Sequence, residues 1–104
     1  VVAESVIDIM SIMTQFVREK KRYTNYCYLA LAGTNKLPSL FYHLEQEKNI
    51  DYIMLAFDND TAGEKSTNAA LEGLRDMKYS GSVELFTAPN GEKDWNEFIK
   101  KNVE

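Results

Sequence analysis

Four short apolar segments alternate along the chain with four segments whose apolar residues recur at helical spacing. The apolar segments are residues 1–3, 26–32, 51–57 and 83–87, and the helical segments are residues 5–21, 38–48, 61–77 and 95–101. Alternating strands and helices with short connections are typical of a parallel sheet that is covered by helices on both faces. The pattern therefore predicts a three-layer α/β/α fold around a four-stranded, mainly parallel sheet.

The length of 104 residues fits one domain with a single core. Residues 1–3 are shorter than a typical central strand of ~5 residues, so we expect this strand to start upstream and residues 1–104 to be one domain of a larger protein. No apolar run approaches the ~20 residues that cross a bilayer, and no signal-peptide pattern is present. We therefore expect a cytoplasmic protein with no membrane partner.

Acidic residues follow three of the predicted strands. Asp58 and Asp60 come directly after the third apolar segment, Glu4 and Asp8 follow the first, and Asp94 follows the fourth beyond a Pro-Asn-Gly loop. Capping of a helix explains any one of these acids, but it does not explain why all of them follow strands. Because the carboxyl ends of parallel strands share one edge of the sheet, the acids can converge on a divalent cation that prefers oxygen ligands.

A shared site requires the first and third strands to be neighbours, and the strand order 2-1-3-4 satisfies this condition. That order also opens a crevice beyond the carboxyl ends of the strands. The net charge of −4, from 12 basic and 16 acidic residues, differs from the basic footprint of a stand-alone nucleic-acid-binding domain. A carboxylate cluster that holds Mg²⁺ is compatible with this acidity, because the bound cation would offset part of it.

Together these motifs resemble the Toprim domain of bacterial primases, topoisomerases, recombination-mediator proteins and certain nucleases. The resemblance spans essentially the whole chain. It is carried by Glu4-Ser5-Val6-Ile7-Asp8, by the turn Ala32-Gly33-Thr34, by Asp58-Asn59-Asp60-Thr61-Ala62-Gly63, and by Lys93-Asp94-Trp95-Asn96. The last two motifs are closest to primase-like and mobile-element members. Type II topoisomerases usually carry a third aspartate where this chain has Ala62, and replicative primases usually carry an acid where it has Asn96.

The resemblance implies a Toprim-like catalytic domain of a DNA primase-like or mobile-element protein. Its chemistry would be nucleotidyl transfer or phosphodiester cleavage that depends on Mg²⁺ or Mn²⁺. DNA or RNA would be bound with help from other domains of the parent protein, so we expect little activity from this domain alone. The implied site residues are Glu4 as catalytic acid or base and shared ligand, Asp58 and Asp60 as metal ligands, Asp8 and Asp94 as outer or second-metal ligands, and Gly33, Lys93 and Asn96 near the substrate.

Two alternatives stay open at this point. One is a non-catalytic, metal-dependent module that binds nucleic acid or docks other domains. The other is a haloacid-dehalogenase-like phosphatase, whose Asp-x-Asp motif also follows a strand. That family places its motif on the first strand and has Thr or Val at the position of Ala62, whereas this chain has the motif on its third predicted strand. The sequence leaves primer synthesis, nicking and strand passage equally open.

Overall fold

Strands and helices alternate in the computed structural model, which describes residues 1–32 and 36–102. The elements are β1 (Val2–Ala3), α1 (Val6–Arg18), a 3₁₀ helix (Tyr23–Asn25), β2 (Leu29–Ala30), α2 (Leu37–Gln46), β3 (Tyr52–Leu55), α3 (Thr61–Asp76), β4 (Ser82–Leu85) and α4 (Trp95–Lys101). All strand pairs are parallel and the order is β2-β1-β3-β4. The predicted fold class and strand order are confirmed. None of the helices in the described ranges has the length and apolar character needed to cross a membrane.

The chain around β3 is buried on both faces of the sheet. Ile53, Leu55 and Phe57 pack with the buried residues of α2 and α3, whereas Met54 and Ala56 pack with those of α1 and α4. Side chains of a strand alternate between the two faces, so a continuous apolar run supplies both cores at once. The helices therefore form two outer layers, with β3 at the centre between them.

Trp95 anchors the start of α4 against the sheet. Its side chain is 3% exposed, and its ring lies 4.8 Å from the Phe86 ring and 5.5 Å from the Phe98 ring, measured between centroids. The indole N–H donates to the backbone carbonyl of Phe86 at 2.9 Å. These contacts fix the position at which α4 begins, one residue after Asp94.

The second predicted strand is shorter than its apolar pattern indicates. Residues 26–32 were expected to be extended, but only Leu29–Ala30 form β2. This strand lies at the edge of the sheet and pairs only with the two residues of β1. Backbone N–H groups of Leu31 and Ala32 continue the contact, donating to the carbonyls of Ala3 and Glu4 at 2.9 Å each.

Helix α3 approaches the sheet through small residues. Apolar spacing favours Ala62, Ala69, Ala70, Leu71 and Leu74 as its buried side, but Ala62 and Ala69 are exposed. The buried residues are instead Gly63, Ser66, Ala70 and Leu74. A Cβ atom at position 63 would lie only 1.9 Å from the backbone carbonyl oxygen of Asp58, so the first turn of α3 contacts the strand exit through a glycine.

Candidate metal centre

Three aspartates meet beyond the carboxyl ends of β1, β3 and β4. Asp8, Asp58 and Asp94 each offer one carboxylate oxygen, and these oxygens all lie within 4.8 Å of one another. Around a single Mg²⁺ with ligands at about 2.1 Å, adjacent ligand oxygens are about 3 Å apart and opposite ones about 4.2 Å apart. Small side-chain adjustments would therefore let the three carboxylates share one divalent cation.

Asp58, one of the three cluster members, and the nearby Glu4 are half-buried, and each has one oxygen shielded from solvent. Asp58 Oδ1 and Glu4 Oε1 are buried, and neither oxygen has a hydrogen-bond partner among the described residues. Burial raises the pKa of Asp58 to about 7, and the negative charges of Glu4, Asp8 and Asp94 act in the same direction. Buried oxygens that lack donors are costly, and a hard cation would satisfy them.

Asp8 is held in place from two sides. It is 5% exposed. Its Oδ2 accepts from the hydroxyl of Ser5 at 2.9 Å, and its Oδ1 accepts from the backbone N–H of Asn96 at 3.3 Å. Burial raises the pKa of Asp8, and these two hydrogen bonds oppose that shift. The role of Ser5 was missed from the sequence, although Ser5-x-x-Asp8 has the spacing of a helix-capping box.

Asp94 combines helix capping with membership of the acidic cluster. It is the N-cap of α4, and its Oδ1 accepts from the backbone N–H of Glu97 at 2.8 Å. A carboxylate has a second oxygen, so capping leaves it able to bind a cation. The capping interpretation and the metal interpretation are thus both compatible with this residue.

Asp60 lies outside the group formed by Asp8, Asp58 and Asp94. It is the N-cap of α3, where its Oδ1 accepts from the backbone N–H of Gly63 at 2.7 Å. Its Oδ2 lies 4.0 Å from Nζ of Lys93. A ligand role for Asp60 and a substrate contact for Lys93 stay predictions.

Asn96 and Gly33 complete the set of predicted site residues. Besides its N–H bond to Asp8, Asn96 accepts a long hydrogen bond of 3.5 Å from the hydroxyl of Ser11 through its Oδ1. Asn96 therefore ties α4 to α1, and a contact with substrate stays a prediction. Gly33 lies outside the described residues.

An open cleft begins at Asp58 and continues between α3 and β4. It has a volume of about 630 Å³. The residues that line it include several hydroxyl and amide side chains, and the full set is Asp58, Asn59, Asp60, Thr61, Glu64, Thr67, Asn68, Leu85 and Thr87. The acidic cluster thus opens onto a polar surface that offers hydrogen-bond donors and acceptors.

The metal-free protein should lose stability as the pH rises towards neutrality. The pKa of Asp58 is raised from 3.8 to about 7, so between these values the folded protein binds more protons than the unfolded chain. Linkage then makes the free energy of unfolding fall with increasing pH. Urea unfolding at a series of pH values from 4.5 to 7.5, with a chelator present, measures this slope. Asp58→Asn should reduce the slope of the unfolding free energy against pH. An identical slope in the variant would show that Asp58 is not the group with the raised pKa.

Comparison with known proteins identifies a family. A family model described as Toprim-like matches residues 1–99. No curated protein and no solved structure matches the chain. The matched range contains all three members of the acidic cluster, Asp8, Asp58 and Asp94, and it also contains Glu4 and Asp60.

Proposed function

Because this chain belongs to the Toprim-like family, we propose that it is the metal-binding catalytic domain of an enzyme that forms or breaks phosphodiester bonds in nucleic acid. Domains of this family in general bind metal ions and serve nucleic-acid enzymes. The observation that carries the proposal is the meeting of Asp8, Asp58 and Asp94 at the exits of three strands. The family match favours this interpretation over a haloacid-dehalogenase-like phosphatase.

The residues of the site divide into ligands and a proton carrier. Asp8, Asp58 and Asp94 would hold Mg²⁺ or Mn²⁺, and Asp60 would act as an outer ligand or bind a second ion. A bound ion would stabilise the negative charge that develops on the attacking and leaving oxygens of a phosphodiester. Glu4 lies close enough to Asp58 for its negative charge to raise the pKa of Asp58, and its Oε1 is buried without a hydrogen-bond partner among the described residues. We assign the general acid or base role to Glu4.

The polar cleft beside Asp58 is the proposed path of the nucleic acid. It is lined by Thr61, Thr67, Asn68 and Thr87, among other residues, which can donate to sugar and phosphate oxygens. Lys93 is exposed, and its Nζ lies 4.0 Å from Oδ2 of Asp60, which is one of the residues that line the cleft. Because the chain has a net charge of −4, a phosphate group should enter only after a cation has neutralised part of the acidic cluster. Further binding surface would come from other domains of the parent protein.

The finer assignment within the family is a primase-like or mobile-element protein. It is supported by the motifs Asp58-Asn59-Asp60-Thr61-Ala62-Gly63 and Lys93-Asp94-Trp95-Asn96, which resemble those of such members. Ala62 stands where type II topoisomerases usually carry a third aspartate, and Asn96 stands where replicative primases usually carry an acid.

The proposal is tested by NMR on the isotopically labelled chain with three additions. These are Mg²⁺ alone, a short single-stranded DNA oligonucleotide alone, and both together. We expect Mg²⁺ to shift amide signals around the acidic cluster, and we expect the oligonucleotide to shift signals of the cleft only when Mg²⁺ is present. Asp94→Asn should abolish both effects at the Mg²⁺ concentration that saturates the unaltered chain, with weaker binding left at higher concentrations. The matched control is Asp51→Asn, which removes an exposed acid at the opposite edge of the sheet.

Each outcome separates one candidate function from another. Mg²⁺ shifts that are scattered over surface acids and survive Asp94→Asn would overturn the metal site. Binding of Mg²⁺ at the cluster without any metal-dependent effect of DNA, repeated with RNA, would leave a metal-dependent docking module. Turnover of a generic phosphate monoester that requires Asp58 would instead revive the phosphatase alternative.

A further inference from the structure

Asn59 connects the turn after β3 to the loop between β4 and α4. Its side-chain amide nitrogen donates to the backbone carbonyl of Ala88 at 3.0 Å and to that of Glu92 at 2.8 Å. Its backbone N–H donates to the carbonyl of Lys93 at 2.6 Å. Three donors of one residue therefore hold both ends of the loop formed by residues 88–93.

We propose that Asn59 is a positioning residue that places Asp94 in the metal centre. Asn59 directly follows Asp58, and Lys93 directly precedes Asp94. The hydrogen bond between Asn59 and Lys93 thus joins the immediate neighbours of two cluster members, and it sets the separation of the two backbones. This inference rests on the proposed function, since it concerns the same site.

The loop has few other contacts that could fix its path between its ends. Asn90 and Gly91 are exposed, and they have positive φ values of 61° and 72° that make a tight turn. Glu92 forms an ion pair with Lys101 at 2.9 Å on the surface, and such pairs contribute little to stability. Ala88 and Trp95 are buried, but they fix only the points where the loop starts and where α4 begins.

The chemistry of this position requires an asparagine. A primary amide carries two N–H donors on one short planar group, and here both are used. An aspartate of the same shape has no donor when ionised and would face two carbonyl oxygens. Alanine would leave both carbonyls without this partner and would retain only the backbone bond to Lys93.

A double-mutant cycle on the full 104-residue chain tests the proposal, with Mn²⁺ binding measured by calorimetry. Asn59→Ala should weaken Mn²⁺ binding by about 10-fold, because residues that orient metal ligands typically contribute 10–100-fold in affinity. In an Asp94→Asn background the same change should alter affinity by less than about 2-fold, since the ligand that Asn59 places is already gone. Glu92→Ala is the matched control, because it removes another loop contact and should leave Mn²⁺ affinity within about 2-fold of the starting value.

A second measurement needs no metal. In the presence of a chelator, Asn59→Ala should speed amide hydrogen exchange at Glu92 and Asn96, whose N–H groups bond to Pro89 and Asp8. Unchanged exchange at both amides would overturn the positioning role. Equal losses of Mn²⁺ affinity with and without Asp94 would overturn it as well. Absence of Mn²⁺ binding by the unaltered chain would instead refute the proposed function, while the exchange data would still decide the part played by Asn59.

Discussion

Replacing Asp58 by asparagine should lower the affinity for Mn²⁺ by about 100-fold or more, because even residues that only support a ligand contribute 10–100-fold. The same change should stabilise the metal-free protein at neutral pH. The Asp58 carboxylate is partly buried beside Glu4, Asp8 and Asp94, and these surroundings raise its pKa to about 7. A neutral amide of the same size removes that repulsion and the burial of a charge. A substitution that weakens Mn²⁺ binding but stabilises the metal-free protein identifies a binding residue, because replacing a residue that supports the fold would lower stability.

Calorimetric Mn²⁺ titration and urea unfolding at pH 7.5 with a chelator measure the two effects of Asp58→Asn. Asp51→Asn removes one negative charge far from the cluster, so it controls for the change in net charge. It should leave Mn²⁺ affinity unchanged within about 2-fold, because exposed charges further apart than ~10 Å are largely screened by salt. Loss of stability in metal-free Asp58→Asn would show that the carboxylate supports the fold and would contradict the assignment.

Replacing Gly63 by alanine should destabilise the protein by about 3 kcal/mol or more, at the upper end of the cost of overpacking. The added Cβ would lie 1.9 Å from the carbonyl oxygen and 2.7 Å from the carbonyl carbon of Asp58. Both atoms are backbone, so no side-chain rotation relieves the clash. The first turn of α3 would have to move away from the strand exit, which would also displace Asp58 within the acidic cluster.

Gly91→Ala is the matched comparison for Gly63→Ala. Gly91 has a φ of +72°, and no neighbouring atom lies within 4 Å of the position that a Cβ atom would occupy there. Alanine at position 91 therefore meets only backbone strain of about 1–2 kcal/mol. Urea unfolding of both variants, with a chelator present, gives the two free energies. A cost at position 63 no greater than at position 91 would show that the helix can shift freely over the strand.

The sequence was sufficient to predict the sheet and the edge at which the acids gather. A shared site requires the first and third strands to be neighbours, a condition that the order 2-1-3-4 satisfies without being dictated by it, and the sheet has this order. Positions within the cluster were less predictable. Asp58 and Asp60 are predicted to bind one cation as a pair. The chain turns from strand to helix between them and Asp60 caps α3, while its role as a ligand stays a prediction. The direction in which a side chain points at such a turn depends on the geometry of the helix start, and residue spacing does not reveal that geometry.

Contacts between distant segments account for the rest of what sequence reasoning missed. Asn59 bonds to a loop about thirty residues away, and its position next to Asp58 in the sequence does not reveal this contact. Gly63 was overlooked as a contact because a periodicity analysis weighs apolar side chains, whereas here the absence of a side chain makes the contact possible. Sequence patterns predict which residues are buried. They are less reliable for predicting how closely two backbone segments approach each other.

The double use of Asp94 has a consequence for how this chain can change over evolutionary time. One carboxyl group both caps the last helix, by accepting from the backbone N–H of Glu97, and belongs to the acidic cluster that we propose as a cation site. Glutamate at position 94 would reach further towards an ion, but its longer side chain is not among the preferred N-cap residues. Serine at this position would cap the helix but would supply no negative charge for a cation. If the proposed cation site is used, selection for the last helix and selection for cation binding both act on the carboxyl group of Asp94. A substitution there would therefore affect both properties together.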